Sequence, residues 1–297
     1  MTIGMGEPDF DVLYIAGTAR SGSTVLAALL GTAPGVLAAG ELTYFFRDVY
    51  LEERPCSCGA TTAACPLWTT VRERCGWGLD EARALNGLTR RIDAHRSLPR
   101  LAARLVPDAT LRRYGAATGE LFGALREITG TRVVVDSSKY VARALALAAR
   151  PGARLRILSL TRAPGGIIHS FLKPNPVEQR PSSVHFAAAY YVAVLAQLRV
   201  LSQVHPERIL ELSYEGFARD PAGTLRAIEA WCGLDLSVPR ERLARDGRFE
   251  IGHMVTANRV RKQGRISFRP EGPTSPVGAA RLTAGALDAW RRLLRFP

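Results

Sequence analysis

A glycine-rich turn that joins a short apolar run to a helical run constrains the fold of this chain most strongly. Residues 11–17 (DVLYIAG) have the length and composition of a buried strand. Ser23–Leu30 (STVLAALL) has those of a helix, and the turn between the two lies within residues 17–24 (GTARSGST). Because free backbone N–H groups gather where a helix begins, this strand–turn–helix unit predicts an anion-binding loop in an α/β fold.

The turn has the glycine spacing of a phosphate-binding P-loop, whose pattern is G-x-x-x-x-G-K-[ST]. Gly17, Gly22 and Thr24 match that pattern, but Ser23 stands at the position of the lysine. A cation appears earlier, at Arg20, and a planar guanidinium can hold two oxygens of a phosphate or sulfate. Without the lysine, ordinary ATP chemistry is poorly supported. A strand–turn–helix junction without a ligand is the alternative.

The rest of the chain continues to alternate strands with helices. Strands are predicted at 36–39, 132–136, 154–161 and 208–212, and helices at 140–149, Pro164–Leu172, 184–203, 220–231 and 279–294. The stretch 44–130 is helical in character, and the tail from Arg240 is expected to be irregular up to the last helix. This order predicts a P-loop-like three-layer α/β fold, with a parallel sheet flanked by helices and a helical insertion at about 44–130 in a single domain of residues 1–297.

Composition narrows the classes of ligand. The formal charge is +13, carried by 37 arginines and only three lysines, and it fits either an arginine-rich composition or attraction to a polyanionic ligand. The arginines are scattered and no nucleic-acid-binding module is recognisable, so we expect no nucleic acid partner. No apolar run approaches the roughly 18 residues of a membrane span, and the first residues do not resemble a signal peptide. We therefore expect a cytoplasmic protein without a membrane span.

Two further predicted strands end in charged residues. Arg162 follows one strand, and Ser170 lies eight residues later on the next helix, so we expect both side chains to face one anion. Asp136 ends another strand, in the sequence Asp-Ser-Ser-Lys that finishes at Lys139. Asp136 is a candidate Mg²⁺ ligand of a nucleotide kinase, whereas Lys139 is a candidate for stabilising charge on a leaving group.

Taken together, these motifs resemble those of sulfotransferases that use 3′-phosphoadenosine 5′-phosphosulfate (PAPS). The sequence RSGST that starts at Arg20 is similar to their 5′-phosphosulfate loop, and Asp-Ser-Ser-Lys is frequent in bacterial members. Glu41 stands 21 residues after Arg20. The same separation lies between the loop arginine and the catalytic glutamate in protein-tyrosine and many bacterial sulfotransferases, which this chain resembles. The resemblance implies transfer of a sulfuryl group from PAPS to a hydroxyl of a small-molecule, glycan or lipid acceptor, with Glu41 as the general base.

The resemblance also implies a role for each candidate residue. The expected catalytic residues are Glu41, Arg20 and Lys139, and no metal is required. The residues expected to bind PAPS are Arg20, Ser21, Gly22, Ser23, Thr24, Arg162, Ser170, Tyr214, Arg261, Lys262 and Gly264. The last three belong to a late loop that folds over the 3′-phosphate in the family, and the acceptor pocket is expected to involve the insertion.

Two other functions stay open at this point. A P-loop kinase would phosphorylate a small molecule with Mg-ATP bound through Asp136, and a phosphate-binding protein would lack catalysis altogether. His169 and His253 are weaker candidates than Glu41 for a general base, because the motif that carries a catalytic histidine is not apparent.

The cysteines add an unexplained feature. Cys56, Cys58, Cys65 and Cys75 lie close together in the sequence, but their spacing does not match a standard zinc-ribbon pattern. Metal ligands, a disulfide and free thiols all remain possible interpretations.

Overall fold

The computed structural model describes residues 9–150, 152–173, 183–256, 264–268, 276 and 278–296. Its centre is a five-stranded sheet in the order β2-β3-β1-β4-β5, in which every neighbouring pair is parallel. The strands are β1 (Val12–Gly17), β2 (Val36–Gly40), β3 (Val133–Lys139), β4 (Leu155–Thr161) and β5 (Ile209–Ser213). The predicted α/β fold class is therefore confirmed.

Helices cover both faces of the sheet. They are α1 (Ser23–Leu30), α2 (Pro66–Cys75), α3 (Leu79–Ile92), α4 (Leu98–Ala102), α5 (Asp108–Thr129), α6 (Val141–Ala148), α7 (Pro164–Leu172), α8 (Val184–Val204), α9 (Tyr214–Arg219), α10 (Pro221–Cys232), α11 (Ser237–Arg245) and α12 (Ala279–Leu293). Helices α2 to α5 occupy the stretch between β2 and β3, as the predicted helical insertion requires.

The alternation of side chains along β1 separates two cores. Val12, Tyr14 and Ala16 face the insertion helices together with α6, α7 and α8. Leu13 and Ile15 face the opposite side, where α1 and α10 pack. Since both faces of β1 are buried, its sequence is a continuous apolar run without the polar alternation of a half-exposed strand.

The tail after Arg240 is more regular than predicted. It contains α11 and a small antiparallel sheet of β6 (Arg248–Glu250) and β7 (Arg265–Ser267). In each short strand only the middle residue, Phe249 or Ile266, is buried. Three residues with one buried side chain are too short a pattern to be recognised in a sequence, and this explains the error.

Helix α8 also departs from expectation. It has 21 residues, and an 18-residue window within it has a mean hydropathy of 1.5. Among the described residues, it is the helix that is long and apolar enough to cross a membrane. The expectation that no apolar run approaches that length was therefore wrong. Tyr191, Leu195 and Leu198 nevertheless point into the core beside the sheet. About a third of that window is buried, so packing in the core accounts for only part of its apolar composition.

Candidate active site

The carboxyl ends of all five parallel strands lie at one edge of the sheet, and each leads into a predicted site residue. The glycine-rich turn follows β1, Glu41 follows β2, Lys139 ends β3, Arg162 follows β4 and Tyr214 follows β5. In open parallel sheets, ligands bind in a crevice at this edge. The crevice forms beside a central strand, where the connections of two neighbouring strands run to opposite sides of the sheet. Here β1 is that central strand, with β3 on one side and β4 on the other.

The turn after β1 is a tightly bonded loop at the start of α1. Arg20 and Gly22 both adopt left-handed backbone conformations, with φ of 66° and 82°. The Ser21 hydroxyl donates to the Thr18 carbonyl over 2.7 Å, and the Ala19 N–H donates to the Tyr190 hydroxyl over 2.8 Å. These bonds shape the loop around the N-terminal N–H groups of α1, which have no partners within the helix. The side chains of Ser23 and Thr24, in the first turn of α1, are buried.

Gly22 is a position in this loop that does not accommodate a side chain. A Cβ atom there would lie 2.8 Å from Cδ2 of Tyr214, and φ is strongly positive. We predict that Gly22→Ala lowers the free energy of unfolding by about 1–3 kcal/mol through overpacking and weakens binding of adenosine 3′,5′-bisphosphate. Urea denaturation and calorimetry measure the two effects.

Gly123→Ala is the matched control for this prediction. Gly123 is exposed on α5 and a Cβ there meets nothing within 4 Å. In a helix interior the change should stabilise the protein by about 0.5–1 kcal/mol. Equal effects of the two substitutions would show that the loop has no special backbone requirement.

Arg162 links the end of β4 to the phosphate loop. Its Nη1 donates to the Arg20 carbonyl over 2.9 Å, and its guanidinium carbon lies 4.3 Å from the centre of the Tyr214 ring. Gly166 in the first turn of α7 leaves room for the guanidinium, because a Cβ there would lie 2.5 Å from Nε. Ser170 is half-buried further along α7. The structure thus brings Arg162, Tyr214 and the loop into direct contact.

Glu41 and Lys139 form a shielded ion pair at the same edge. Lys139 Nζ lies 2.5 Å from Glu41 Oε1, and the two side chains are only 16% and 13% exposed. Burial raises the pKa of Glu41 above its ordinary value, and the neighbouring Lys139 opposes that rise. The Glu41 main-chain N–H donates to the Val255 carbonyl over 3.0 Å, which fixes the backbone that carries the carboxylate.

Lys139 reaches this position through an unusual backbone. Its φ is +71°, a left-handed conformation that costs a non-glycine residue of the order of 1–3 kcal/mol. After Asp136, β3 has one residue more than β1 in the pairing, and β2 has one residue more than β3 at Ala39. The sheet is therefore irregular at the edge that carries Glu41 and Lys139. Backbone strain of this kind is concentrated at functional sites.

Asp136 has a structural partner and is not available to Mg²⁺. It is completely buried, and its Oδ2 accepts from Arg143 Nε over 2.9 Å. Its Oδ1 accepts from the Ser138 N–H over 3.0 Å and from the Ser138 hydroxyl. Arg143 also pairs with buried Asp93, at 2.9 Å. With both oxygens engaged, Asp136 does not support the kinase interpretation.

This buried network predicts a large loss of stability on Arg143→Ala. The substitution leaves Asp136 and Asp93 buried without a counter-charge, so we expect the free energy of unfolding to fall by about 3–5 kcal/mol. Urea denaturation measures it. Arg83→Ala removes an arginine from an exposed pair with Asp80 and should cost about 0–1 kcal/mol. Similar losses for both would show that the two carboxylates are satisfied without Arg143.

An aromatic cluster beside Glu41 was not predicted. The hydroxyls of Tyr44 and Tyr140 lie 2.7 Å apart, and the His95 ring packs 4.8 Å from that of Tyr140. Tyr190, on α8, also belongs to this cluster. Burial is the main reason that the pKa of Tyr190 is raised to about 12, and the negative charge of Glu41 contributes less. Residues so far apart in sequence, in stretches without a shared motif, give no signal that they meet.

Gly264 is the one predicted late-loop site residue that lies within the described residues. Gly264 has a φ of +62°, and its carbonyl accepts from the Ile251 N–H over 3.2 Å. Arg261 and Lys262, the predicted cations of this loop, lie outside the described residues. His253 lies against Cys56 and Cys65.

These features define the class of the protein. A five-stranded parallel sheet carries a lysine-free phosphate loop at its central strand, with arginine and lysine side chains at the same edge, as in nucleotide-binding folds of the P-loop type. The family model described as "Sulfotransferase family" matches residues 13–238. The chain belongs to the sulfotransferase family and is an enzyme of that family.

Solved structures of low sequence identity resemble it. A sulfotransferase from Alicyclobacillus acidocaldarius is 17% identical, with 98% of this chain and 97% of that chain covered and a TM-score of 0.48. The sulfotransferase STF9 from Mycobacterium avium is 16% identical, with 80% and 68% covered and a TM-score of 0.48. The sulfotransferase domain from the curacin biosynthetic pathway is 18% identical, with 75% and 74% covered and a TM-score of 0.45. No curated protein sequence matches the chain.

Proposed function

We propose that this enzyme transfers a sulfuryl group from PAPS to a hydroxyl of a small-molecule, glycan or lipid acceptor, with Glu41 as the general base. Family membership implies sulfotransferase activity and PAPS as the donor. The observation that supports the finer proposal most directly is the shielded pair of Glu41 and Lys139 at the edge that carries the phosphate loop. A carboxylate whose pKa is raised by burial suits the acceptance of a proton, and the cation beside it suits the stabilisation of a leaving group.

The residues at this edge fit a ligand with two anionic ends. The start of α1 and Arg20 offer N–H groups and a guanidinium to the 5′-phosphosulfate. Arg162 offers a second guanidinium beside the Tyr214 ring and suits the 3′-phosphate. A donor with a 3′-phosphate is therefore preferred over ATP in this proposal.

Each side chain has a separate task in the reaction. Glu41 accepts the proton of the acceptor hydroxyl as that oxygen attacks sulfur and the bond from sulfur to the bridging oxygen breaks. Arg20, Lys139 and the loop N–H groups stabilise the electron pair that remains on the departing phosphate. Arg162 and Ser170 hold the 3′-phosphate and thereby position the donor.

The acceptor is expected to pack against the aromatic cluster. Tyr44 and Tyr190 are close enough to Glu41 for its charge to contribute to their raised pKa values. Aromatic rings and protonated hydroxyls beside the general base would hold an acceptor through apolar contact and hydrogen bonds. This cluster belongs in part to the predicted insertion, through Tyr44 and His95.

Calorimetric titration with adenosine 3′,5′-bisphosphate tests the donor site, with 5′-AMP and Mg-ATP as control ligands. We expect the bisphosphate to bind at least about 100-fold more tightly than 5′-AMP, since the 3′-phosphate gains charge-assisted hydrogen bonds of about 3 kcal/mol. Preference for Mg-ATP would contradict the proposal and revive the kinase interpretation.

A further inference from the structure

Four side chains converge at a place that the sulfuryl-transfer reaction does not use. The ligand-type atoms of Cys56, Cys58, Cys65 and His253 all lie within 4.8 Å of one another. His253 Nδ1 is 3.2 Å from Cys65 Sγ and 3.9 Å from Cys56 Sγ. All five cysteines of the chain are free thiols. We call these four residues the Cys₃His cluster.

The chain is folded to bring the three thiols together. Cys56 and Cys58 flank a turn in which the Gly59 N–H donates to the Cys56 carbonyl over 3.1 Å and the Cys56 N–H donates to the Ala60 carbonyl over 2.8 Å. Gly59 has a φ of +94°, which only glycine adopts readily. Cys65 is the residue immediately before α2, where the free N–H groups of the helix favour a negatively charged sulfur.

His253 is held against the thiols by a separate set of bonds. The Ser57 hydroxyl, between the first two cysteines, donates to the Gly252 carbonyl and accepts from the Met254 N–H, each over 2.7 Å. The Ser57 N–H donates to the Met254 carbonyl over 3.2 Å. The backbone on both sides of His253 is therefore fixed to the cysteine turn, although the two segments are nearly 200 residues apart in the chain.

We infer that the Cys₃His cluster is a structural zinc site. Tetrahedral zinc with Zn–S bonds of about 2.3 Å and Zn–N bonds of about 2.0–2.1 Å places its ligand atoms about 3.5–3.8 Å apart. The two measured distances from His253 Nδ1, 3.2 Å and 3.9 Å, lie on either side of that range, and all four ligand atoms lie within 4.8 Å of one another. Small side-chain shifts would therefore bring the four atoms around one ion. Three thiolates and one imidazole bind zinc in preference to Mg²⁺, Ca²⁺ or Mn²⁺, which favour oxygen ligands. A disulfide would engage two of the thiols and leave the third thiol and the imidazole unexplained.

Four protein ligands close the coordination shell, so this zinc has a structural role and no part in sulfuryl transfer. Its effect is to connect the insertion to the segment after His253. Two residues further on, the Val255 N–H donates to the Ala39 carbonyl over 3.1 Å and the Val255 carbonyl accepts from the Glu41 N–H. Zinc would therefore stabilise the backbone that carries Glu41.

Metal analysis of the full-length protein tests this inference. The protein is purified with a tag that lacks histidine and cysteine, and its metals are quantified by mass spectrometry. We expect about one zinc per chain, and reconstitution with Co²⁺ should give the thiolate charge-transfer and visible bands of tetrahedral cobalt. Absence of zinc together with absence of those cobalt bands would overturn the inference.

Matched cysteine variants locate the metal. Cys58 is exposed, so Cys58→Ser removes a ligand with little loss of packing, and we expect zinc content after dialysis against a chelator to fall at least about tenfold. Cys75→Ala is the control, since Cys75 lies close in sequence but outside the cluster, and its zinc content should be unchanged. Equal zinc in both variants would overturn the assignment, as would an intact mass that shows a disulfide between cluster cysteines. Circular dichroism of each variant confirms that it is folded.

Discussion

Glu41→Gln is expected to lower kcat about 10²–10⁴-fold and to leave the affinity for adenosine 3′,5′-bisphosphate nearly unchanged, because the substitution removes a proton acceptor and no contact to the donor. The glutamine keeps the shape of the side chain and can still accept a hydrogen bond from Lys139. The assay follows radiolabelled sulfur from PAPS to whichever acceptor turns over in a panel of phenols, sugars and aliphatic alcohols.

Glu127→Gln is the matched control for that substitution. Glu127 is 59% exposed and pairs with Arg74 at the surface of the insertion, so the same chemical change there should leave kcat unaltered. If Glu41→Gln retained more than about a tenth of wild-type kcat, Glu41 would not be the general base. If it instead weakened binding of the bisphosphate in proportion to kcat, its role would be to hold Lys139 in place.

The pH profile separates these roles further. Burial raises the pKa of Glu41, and Lys139 only partly opposes it. Since a general base must be ionised, activity should be present above that raised pKa and lost as the pH falls through it. The acid limb of kcat/KM should therefore lie above the range of an ordinary glutamate, and the residual activity of Glu41→Gln should lack it. An identical limb in both proteins would assign it to another group.

Much of this site could be predicted because each residue lies next to a recognisable strand. The apolar start of β3 is recognisable in the sequence, but the prediction that the strand ends at Asp136 was wrong, because it continues through polar residues to Lys139. Parallel strands place their carboxyl ends at one edge, which predicts that Glu41, Lys139 and Arg162 share a side of the sheet. Their pairing depends on strand order. Glu41 meets Lys139 because β2 and β3 are neighbours, and a single sequence does not specify that order.

Contacts between distant segments could not be predicted. Asp136 was a candidate Mg²⁺ ligand because a strand-end aspartate is consistent with that role, but its partner Arg143 looks in the sequence like any arginine on an amphipathic helix. The burial of Arg143 depends on Asp93, which the insertion contributes. In the same way, the sequence grouped Cys75 with the other three cysteines, whereas the fold excludes it and brings in His253. Polar side chains that pair between distant segments of the chain leave no periodic pattern in the sequence.

Arg162→Ala is the second prediction with a large expected effect, and it concerns the part of the donor that distinguishes PAPS from other adenine nucleotides. Loss of charged hydrogen bonds to the 3′-phosphate, each worth about 1.5–3 kcal/mol, should raise the Kd of adenosine 3′,5′-bisphosphate about 10–150-fold. Adenosine 5′-phosphosulfate lacks that phosphate, so its Kd should change little. Calorimetry with both ligands measures the difference.

The comparison of the two ligands decides between a direct and an indirect role for Arg162. Its Nη1 also donates to the Arg20 carbonyl, so the substitution could act by disturbing the phosphate loop. In that case both ligands would weaken by a similar factor, because both carry a 5′-phosphate group for the loop to bind. Arg156→Ala removes the same charge from the opposite end of β4, where Arg156 pairs with Asp9, and should affect neither ligand. Selective loss of bisphosphate affinity in Arg162→Ala alone would therefore place the 3′-phosphate at the end of β4, because neither a change in net charge nor a distorted loop discriminates between the two ligands.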